Sequence, residues 1–292
     1  MSKSIFYKIR RKAQVVATNI LSKETLSKIY YKIVLGETLH LDNPKTFNEK
    51  VQWLKLYEWP KNKLAIQCAD KYAVREYVKS CGFEELLNDL YGVWDNADDI
   101  NWSELPEQFV LKCTHGCGYN IICPDKSKLD EKVTKNKLNA WMKEDFGKFN
   151  IEPHYSEIKP RIICEKFLGG NMVDYKFYFF NKKYQFMYIA QGFGEGINES
   201  ISFFDKDGNK APFRRTDYPE FMDAKLPKQY EEMLRVSQRF ANDFPFVRDD
   251  LFENNNKIYF SELTFTPCGG MMKISPKEYD NIIGDNLDIT VI

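Results

Sequence analysis

Two apolar segments near the C-terminus, residues 246–253 and 257–263, place the strongest constraint on the fold because they carry acids in their interior. A run of three asparagines separates them, and this arrangement predicts a β-hairpin. A carboxylate buried in an apolar strand costs several kcal/mol unless a cation or a metal ion pairs with it. The hairpin is therefore expected to build a charged site, with Asp250 on one strand and Glu262 on the other.

The spacing of Asp250 and Glu262 from the turn indicates that they face each other. If the loop has an odd number of residues and is centred on Asn256, each acid lies six residues from that centre, on one face of the hairpin. Two converging carboxylates offer the hard oxygen ligands that Mg²⁺ prefers. A register slip of one residue would separate them, and incidental acids on a solvent-facing strand are the alternative. Facing acids repel without a metal, so amide replacement is expected to leave stability unchanged or raise it.

A second segment has the features of a flexible flap over phosphate groups. The apolar run 109–111 ends in Lys112, passes through a loop that contains Gly116 and Gly118, and returns through residues 121–122. Glycines let backbone N–H groups approach an anion, and a lysine supplies a point charge. An ordinary hairpin with a surface lysine is the alternative. A Walker P-loop is excluded because no Gly-Lys-Ser/Thr follows the glycines.

The cysteines favour free thiols over metal ligands. Four potential zinc ligands lie in and beside this loop, namely Cys113, His115, Cys117 and Cys123. Their spacing lacks the short C-x2-C knuckles of structural zinc sites, so zinc is disfavoured. The chain has seven cysteines and no leader-like start, which predicts a cytoplasmic protein in a reducing compartment. No apolar run approaches the ~18–20 residues that span a bilayer.

Charge is balanced over the whole chain but not at its start. Lysine and arginine total 42, as do aspartate and glutamate, so no global basic field indicates a nucleic-acid partner. The first 35 residues are basic, with eight Lys or Arg against the single acid Glu24. A basic amphipathic segment on the inner membrane surface fits this pattern, and so does a solvated helical face packed on the body.

Periodicity divides the chain into a mainly helical part and a strand-rich part. Thr46 and Glu49 form a capping box, and Asp70 is expected to cap a helix that has Lys71 in its first turn and ends at Gly82. Other expected elements are strands near 109–111, 121–122, 162–164, 177–180 and 184–189, turns at 181–182 and 205–208, and a helix near 230–244. The expected division is a helical subdomain, a lid subdomain and a subdomain with the metal site, at residues 1–104, 105–168 and 169–292.

Five motifs resemble the ATP-grasp superfamily and, within it, the TupA-type branch found among cell-surface polysaccharide genes. They occur in order over most of the chain, at residues 44–50, 70–78, 109–120, 174–176 and 262–267. Together they are far more specific than any one of them. The resemblance implies an α+β ATP-grasp fold, in which a helical N-terminal region precedes two α+β subdomains that clasp ATP. It also implies ATP and two Mg²⁺ ions as cofactors.

The resemblance implies three groups of site residues. The ATP phosphates and their lid would involve Arg75, Lys112, Lys176, His115, Gly116 and Gly118. Adenine and ribose would be held by Glu165, Lys166, Leu168 and Asp174. The metal ions would be bound by Asp250, Glu262 and Thr264. Arg248, which would stabilise the oxyanion formed when an amine attacks, joins Lys112 and Lys176 as an expected catalytic residue.

Three positions depart from the family pattern. Thr264 stands where many members carry Asn, Asp249 where an apolar residue is usual, and Cys268 where a small residue is usual. The hydroxyl of Thr264 keeps a neutral oxygen at that position, so metal binding is expected to be weakened rather than lost. These three changes affect the fine geometry of the site. They do not affect the family assignment.

The implied function is an ATP-dependent carboxylate–amine ligase. The carboxylate is expected on a uronic acid or other glycan of a bacterial cell-surface polymer, and the amine is expected to be an amino acid or an amino alcohol. A glycosyltransferase is the main alternative, because Asp205-Lys206-Asp207 has the D-x-D form of a metal site. The same residues followed by Gly208 also make a good turn, which is the favoured interpretation. A non-catalytic module that binds glycans or membranes is a second alternative.

Overall fold

The computed structural model describes Gln14 and residues 16–170, 172–192 and 199–291. Five of the eight basic N-terminal residues, at positions 3–12, lie outside the described residues. The N-terminal part is helical, with α1 (Lys23–Leu35), α2 (Phe47–Trp53), α3 (Lys63–Ala69) and α4 (Val74–Ser80). A π-helix, Leu54–Glu58, extends α2.

The starts and ends of these helices largely follow the sequence. The predicted capping box is confirmed, because the Thr46 side chain accepts from the N–H of Glu49, whose carboxylate accepts from the N–H of Thr46. Gly82 has the left-handed conformation expected after α4, with φ of 86°. One detail was wrong: Asp70 caps the N–H groups of Tyr72 and Ala73, and α4 starts at Val74. Lys71 therefore lies in the turn before the helix and not in its first turn.

The central unit is a four-stranded antiparallel sheet covered by short helices. Its elements are β1 (Leu90–Trp94), β2 (Phe109–Cys113), β3 (Asn120–Cys123), α5 (Glu131–Trp141), α6 (Phe146–Asn150), α7 (Pro153–Ser156) and β4 (Ile162–Lys166). The strand order is β1-β4-β2-β3. Phe109, Leu111 and Cys164 lie in the core of this unit. Strand β1 falls within the segment expected to be mainly helical and joins this sheet, while the three-part division of the chain stays a prediction.

The C-terminal unit is a five-stranded antiparallel sheet in the order β10-β9-β5-β6-β7. Its elements are β5 (Asp174–Phe180), β6 (Lys183–Gln191), β7 (Ser200–Asp205), β8 (Arg214–Arg215), α8 (Tyr230–Ala241), β9 (Phe246–Asn254), β10 (Lys257–Thr264), β11 (Ile274–Ser275) and α9 (Glu278–Asp285). Helix α8 packs against one face, where Ser237 donates to the buried Asp249. The other face meets the N-terminal helices through Phe47, whose ring lies 5.8 Å from that of Phe246. Because side chains alternate along a strand, Arg248 and Asp250 point to the same face as Phe246.

In the closing hairpin Asp250 and Glu262 pair as predicted, but the turn and the strand register differ from those expected. Its turn contains two residues, Asn255 and Asn256, both with positive φ, so the loop is even-numbered and the expected odd-numbered loop was wrong. From Lys257 to Phe260 the strands pair in the register of that turn. A register shift at Ser261 then brings Glu262 opposite Asp250.

The other predicted turns are confirmed. Asn181 and Lys182, both at positive φ, connect β5 to β6. After β7, the carboxylate of Asp205 accepts from the N–H groups of Asp207 (3.0 Å) and Asn209 (2.9 Å). This acid is engaged by the turn, which removes the main support for a D-x-D metal site. Among the described helices, none combines the length and the apolar character needed to cross a membrane.

Candidate active site

Three adjacent strands form two rows of polar side chains on the face away from α8. In the first row, Asp250 of β9 pairs in register with Lys176 of β5 and with Glu262 of β10. In the second row, Arg248 of β9 pairs with Thr264 of β10 in the same way. The first row spans the three strands and the second row, as described, spans β9 and β10. Residues from distant parts of the chain therefore meet at one place on the sheet. All five belong to the site predicted from the sequence.

Asp250 is the centre of the resulting hydrogen-bond network. Arg248 binds it with two hydrogen bonds of 2.6 Å, from Nε to Oδ1 and from Nη2 to Oδ2, and Lys176 also donates to Oδ2. Nη2 of Arg248 further donates to Oγ1 of Thr264 at 2.9 Å and to Oε1 of Glu262 at 3.2 Å. Asp250 is fully buried, and two cations compensate its charge. The prediction of two uncompensated, repelling acids is therefore wrong for this structure.

Neighbouring charges shift the pKa values of Glu262 and Lys176. Burial alone would raise the pKa of Glu262, but Lys71, Arg248 and Lys176 together lower it to about 2. Burial would lower the pKa of Lys176, but Asp174 and Asp250 raise it. The side chain of Glu262 is 33% exposed, whereas that of Asp250 is fully buried. Glu262 is thus a charged carboxylate that a cation can reach from the solvent side.

The donor atoms at the rows suit a hard metal ion. Asp250, Glu262 and Thr264 supply two carboxylates and a hydroxyl, the oxygen chemistry that Mg²⁺ prefers. Within the described residues no group of three or more His, Cys, Asp or Glu side chains could hold a metal ion by itself. In the usual Mg²⁺ site, one or two carboxylates act together with substrate phosphates.

The second predicted cluster lies on the four-stranded sheet, where the structure brings Arg75, Lys112 and Glu165 together. Nζ of Lys112 on β2 lies 2.6 Å from Oε2 of Glu165 on β4. Nη1 of Arg75 on α4 lies 3.4 Å from the other carboxylate oxygen of Glu165. Glu165 thus holds both predicted phosphate-binding cations. Its predicted contact with adenine stays a prediction.

The glycine-containing loop after β2 has two kinds of glycine. A Cβ on Gly116 would lie 2.7 Å from the ring of Phe146, so only glycine fits this packing. Gly118 adopts φ of 76°, which favours glycine. The ring of His115 is buried beneath the loop, with Nε2 3.1 Å from the carbonyl oxygen of Trp141, and burial lowers its pKa. The side chain of His115 therefore faces the interior, and the role of the loop as a lid stays a prediction.

The predicted adenine and ribose residues lie at the end of β4, in the segment that follows it and at the start of β5. Lys166 is exposed and pairs with Asp89 at 3.1 Å. The carbonyl of Leu168 accepts a 2.6 Å hydrogen bond from Asn254. Asp174 lies on β5 at the position that pairs with Phe252, and its pKa is raised by burial against the opposing effect of Lys176.

Sequence reasoning missed Lys71 as a site residue. Its Nζ donates to the carbonyl oxygen of Gly116 at 2.7 Å and lies 3.9 Å from Oε2 of Glu262. Lys71 therefore connects the loop of one sheet to the carboxylate row of the other. The available signal was that Lys71 belongs to the motif at residues 70–78. Because Lys71 was expected in the first turn of a helix, its contacts with the loop and with Glu262 were not predicted.

Sequence reasoning also missed a buried cluster of polar residues around the loop after β10. Lys55 of the π-helix donates to the carbonyl oxygen of Gly269 at 2.9 Å, as does Gln52 of α2. Burial lowers the pKa of Lys55 to about 8, against the opposing charge of Glu152. Thr266 donates to Glu152, so the loop after β10 is anchored from two sides. No local pattern marks these residues, because their partners are more than a hundred positions away in the sequence.

This pairing of two α+β units, with cations on one sheet and a carboxylate row on the other, defines the chain as an ATP-grasp protein. The model of the family described as TupA-like ATPgrasp matches residues 49–288, and the chain belongs to that family. The α+β ATP-grasp class predicted from the sequence is confirmed. A comparison with curated protein sequences gave no match.

Solved structures of ligases resemble the chain at low sequence identity. D-alanine–D-alanine ligase from Bacillus anthracis is 16% identical with a TM-score of 0.44, covering 69% of this chain and 58% of the ligase. The L-amino acid ligase from Bacillus licheniformis is 14% identical with a TM-score of 0.45, covering 76% and 49%. Phosphoribosylamine–glycine ligase from Thermotoga maritima is 12% identical with a TM-score of 0.43, covering 73% and 52%. The chain thus spans 49–58% of the lengths of these three proteins.

Proposed function

We propose that this chain is an ATP-dependent carboxylate–amine ligase that forms an amide through an acyl phosphate. The observation that carries the proposal is the row of Lys176, Asp250 and Glu262, in which two carboxylates lie among cations and the side chain of Glu262 is 33% exposed. The ligase class of the similar solved structures agrees with it. In the reaction, the γ-phosphoryl group of ATP passes to a carboxylate oxygen and releases ADP. The amine nitrogen then attacks the carbonyl carbon, and phosphate leaves.

Each cluster has a proposed part in this sequence. Arg75 and Lys112 bind ATP phosphates. When ATP binds, the phosphates replace Glu165 as the partner of these two cations. Asp250, Glu262 and Thr264 would hold Mg²⁺, which would supply the neutralisation of phosphate charge that phosphoryl transfer requires. Lys176 would exchange Asp250 for a phosphate oxygen, which would leave Arg248 as the one described cation bound to that carboxylate. Arg248 remains to stabilise the oxyanion of the second step.

Adenine and ribose have their proposed contacts on the segment that runs from the end of β4 to the start of β5. Glu165, Lys166 and Leu168 border the adenine ring, and Asp174 accepts from the ribose hydroxyls. The loop His115–Gly118 closes over the phosphates, because an acyl phosphate must be protected from water. Lys71 joins this group, since it already contacts the carbonyl of Gly116.

The proposed acceptor is a carboxylate on a uronic acid of a bacterial cell-surface polysaccharide or its precursor, joined in the cytoplasm to an amino acid or amino alcohol. Its support is the family, whose TupA-type branch occurs among polysaccharide genes. The glycosyltransferase alternative loses its support with the turn at Asp205.

A coupled ADP-release assay tests the proposal. Free sugar acids and nucleotide-linked uronates are crossed with amino acids and amino alcohols in the presence of Mg²⁺ and ATP. The expected result is ADP formation that requires both partners and gives a product with the summed mass minus water. The Asp250→Asn protein serves as the control for background ATP hydrolysis. Release of a nucleoside diphosphate from a sugar donor without ATP would instead identify a glycosyltransferase and overturn the proposal.

A further inference from the structure

Exposed apolar side chains of this protein are concentrated in residues 16–34. This short segment holds six of the twelve large hydrophobic residues exposed among the described residues. Four of them form two pairs with helical one-turn spacing: Val16 with Ile20 in the helical residues 16–20, and Ile29 with Ile33 on α1. Ile20 and Ile33 are 74% and 72% exposed. We call these four residues the N-terminal apolar face.

Helix α1 does not need this face for its packing on the body. Its inner side is already occupied, since Leu26 is buried and Tyr31 packs with Leu39 and Leu41. The match to the shared family begins at residue 49, so the N-terminal apolar face also lies outside the part of the chain common to the family. Exposed apolar side chains at helical spacing that neither the core nor the shared fold uses indicate an interaction surface.

Lysines lie beside this face on α1, and Glu37 and Asp42 line a surface pocket together with one of them, Lys28. Lys28 and Lys32 lie one turn apart on α1, next to Ile29 and Ile33, and both are exposed. Lys23 adds a third exposed lysine, whereas Glu24 is the single acid of the helix. By sequence, five further Lys or Arg precede residue 13. Isoleucines beside lysines match the boundary between acyl chains and anionic headgroups.

We propose that residues 16–34 dock this protein on the surface of an anionic lipid bilayer. The apolar face inserts at the level of the acyl boundary, and the lysines contact lipid phosphates. A second copy of the chain fits this face less well, because a two-fold contact through α1 would set its lysines against the same lysines of the other copy. The proposal is independent of the ligase function, since its measurement requires no turnover.

Flotation of the full-length protein with lipid vesicles tests the proposal. The protein is expected to float with phosphatidylcholine vesicles that contain about one third phosphatidylglycerol, and not with pure phosphatidylcholine. Raising the salt concentration should weaken the binding because charges are screened. The Ile29→Ser/Ile33→Ser and Lys28→Gln/Lys32→Gln proteins are each expected to bind about tenfold more weakly or worse.

Matched controls separate docking from general surface effects. Val133→Ser removes an exposed valine on α5, and Lys225→Gln/Lys228→Gln removes two exposed lysines elsewhere; both proteins should bind as the parent does. All substitutions are at exposed positions, so melting temperatures should match the parent. The proposal is overturned if the parent fails to float with anionic vesicles, or if the double isoleucine variant floats equally well. It is also overturned if the parent is a dimer in sedimentation that does not bind vesicles, and the double isoleucine variant is a monomer.

Discussion

Asp250 and Glu262 lie directly opposite each other because β10 takes up one extra residue at Ser261. The two-residue turn at Asn255 and Asn256 would otherwise pair Asp250 with Ser261. The shift brings Glu262 to the position next to Asp250, within reach of Arg248, which contacts both acids. The geometry of the candidate metal site thus depends on a local irregularity of one strand.

Replacement of Asp250 by Asn is expected to lower both activity and stability. The buried carboxylate compensates Arg248 and Lys176, and its loss leaves uncompensated buried charge at a cost on the order of 3 kcal/mol. ADP formation should fall by about 10²–10³-fold if the carboxylate binds Mg²⁺. Glu262→Gln is the matched comparison at the more exposed acid, with a similar loss of turnover and also a lower melting temperature, because the nearby cations stabilise its ionised form in the folded protein. Thermal melting and the ADP assay measure both, and an Asp250→Asn protein that melts no lower than the parent contradicts the structural argument.

A double-mutant cycle at Lys112 and Glu165 separates phosphate binding from a structural role. Lys112→Met leaves Glu165 with Arg75 alone, so a stability loss of no more than about 1 kcal/mol is expected from this partly exposed pair, together with loss of ATP turnover. The Lys112→Met/Glu165→Gln protein should lose less stability than the two single variants combined, because both substitutions remove the same ion pair. ATP turnover should stay lost in the double variant. Turnover that follows stability through the whole cycle would assign Lys112 a structural role.

Lys71→Met is expected to weaken MgATP binding. The substitution removes the hydrogen bond to Gly116 and the positive charge near Glu262, so the loop loses its link to the carboxylate row. The KM for ATP should rise by about tenfold, the effect of losing one charge-assisted hydrogen bond. Lys79→Met, at an exposed lysine of α4 paired with Glu84, is the matched control and should keep the parent KM. An unchanged KM in the Lys71 variant would show that this contact has no part in nucleotide binding.

His154 is expected to make the protein sensitive to mild acid. Burial, and then the charge of Lys55, lower its pKa to about 3, and neither ring nitrogen has a hydrogen-bond partner among the described residues. The unfolded chain takes up this proton near pH 6.5 but the folded protein does not, so stability falls as pH drops from about 6.5 towards 3. The loss approaches about 1.4 kcal/mol per pH unit over that range.

The His154→Leu protein should therefore lose stability less steeply between pH 6.5 and about 4.5, and should differ little in slope above pH 7. Urea unfolding at a series of pH values measures this difference. His40→Leu, at an exposed histidine, is the control and should follow the parent. Parallel curves for the parent and the His154 variant would contradict the expectation.

Local features were determined by the sequence itself. The capping box of Thr46 and Glu49, the left-handed Gly82 and the turn at Asn181 and Lys182 depend on neighbouring residues, so short patterns predict them. The acids in apolar strands likewise required a charged site, because burying them alone is too costly. The family motifs then named most of the residues that the structure brings together.

The tertiary structure decided which charges meet. Asp250 is paired with Lys176 and Arg248 instead of repelling Glu262, because β5 lies beside β9 in the sheet. The strand order that joins Glu165 to Lys112 is likewise a property of the sheet and not of any segment. Contacts between distant segments depend on strand order, register and the close packing of the whole chain, and a local pattern of residue types encodes none of these directly.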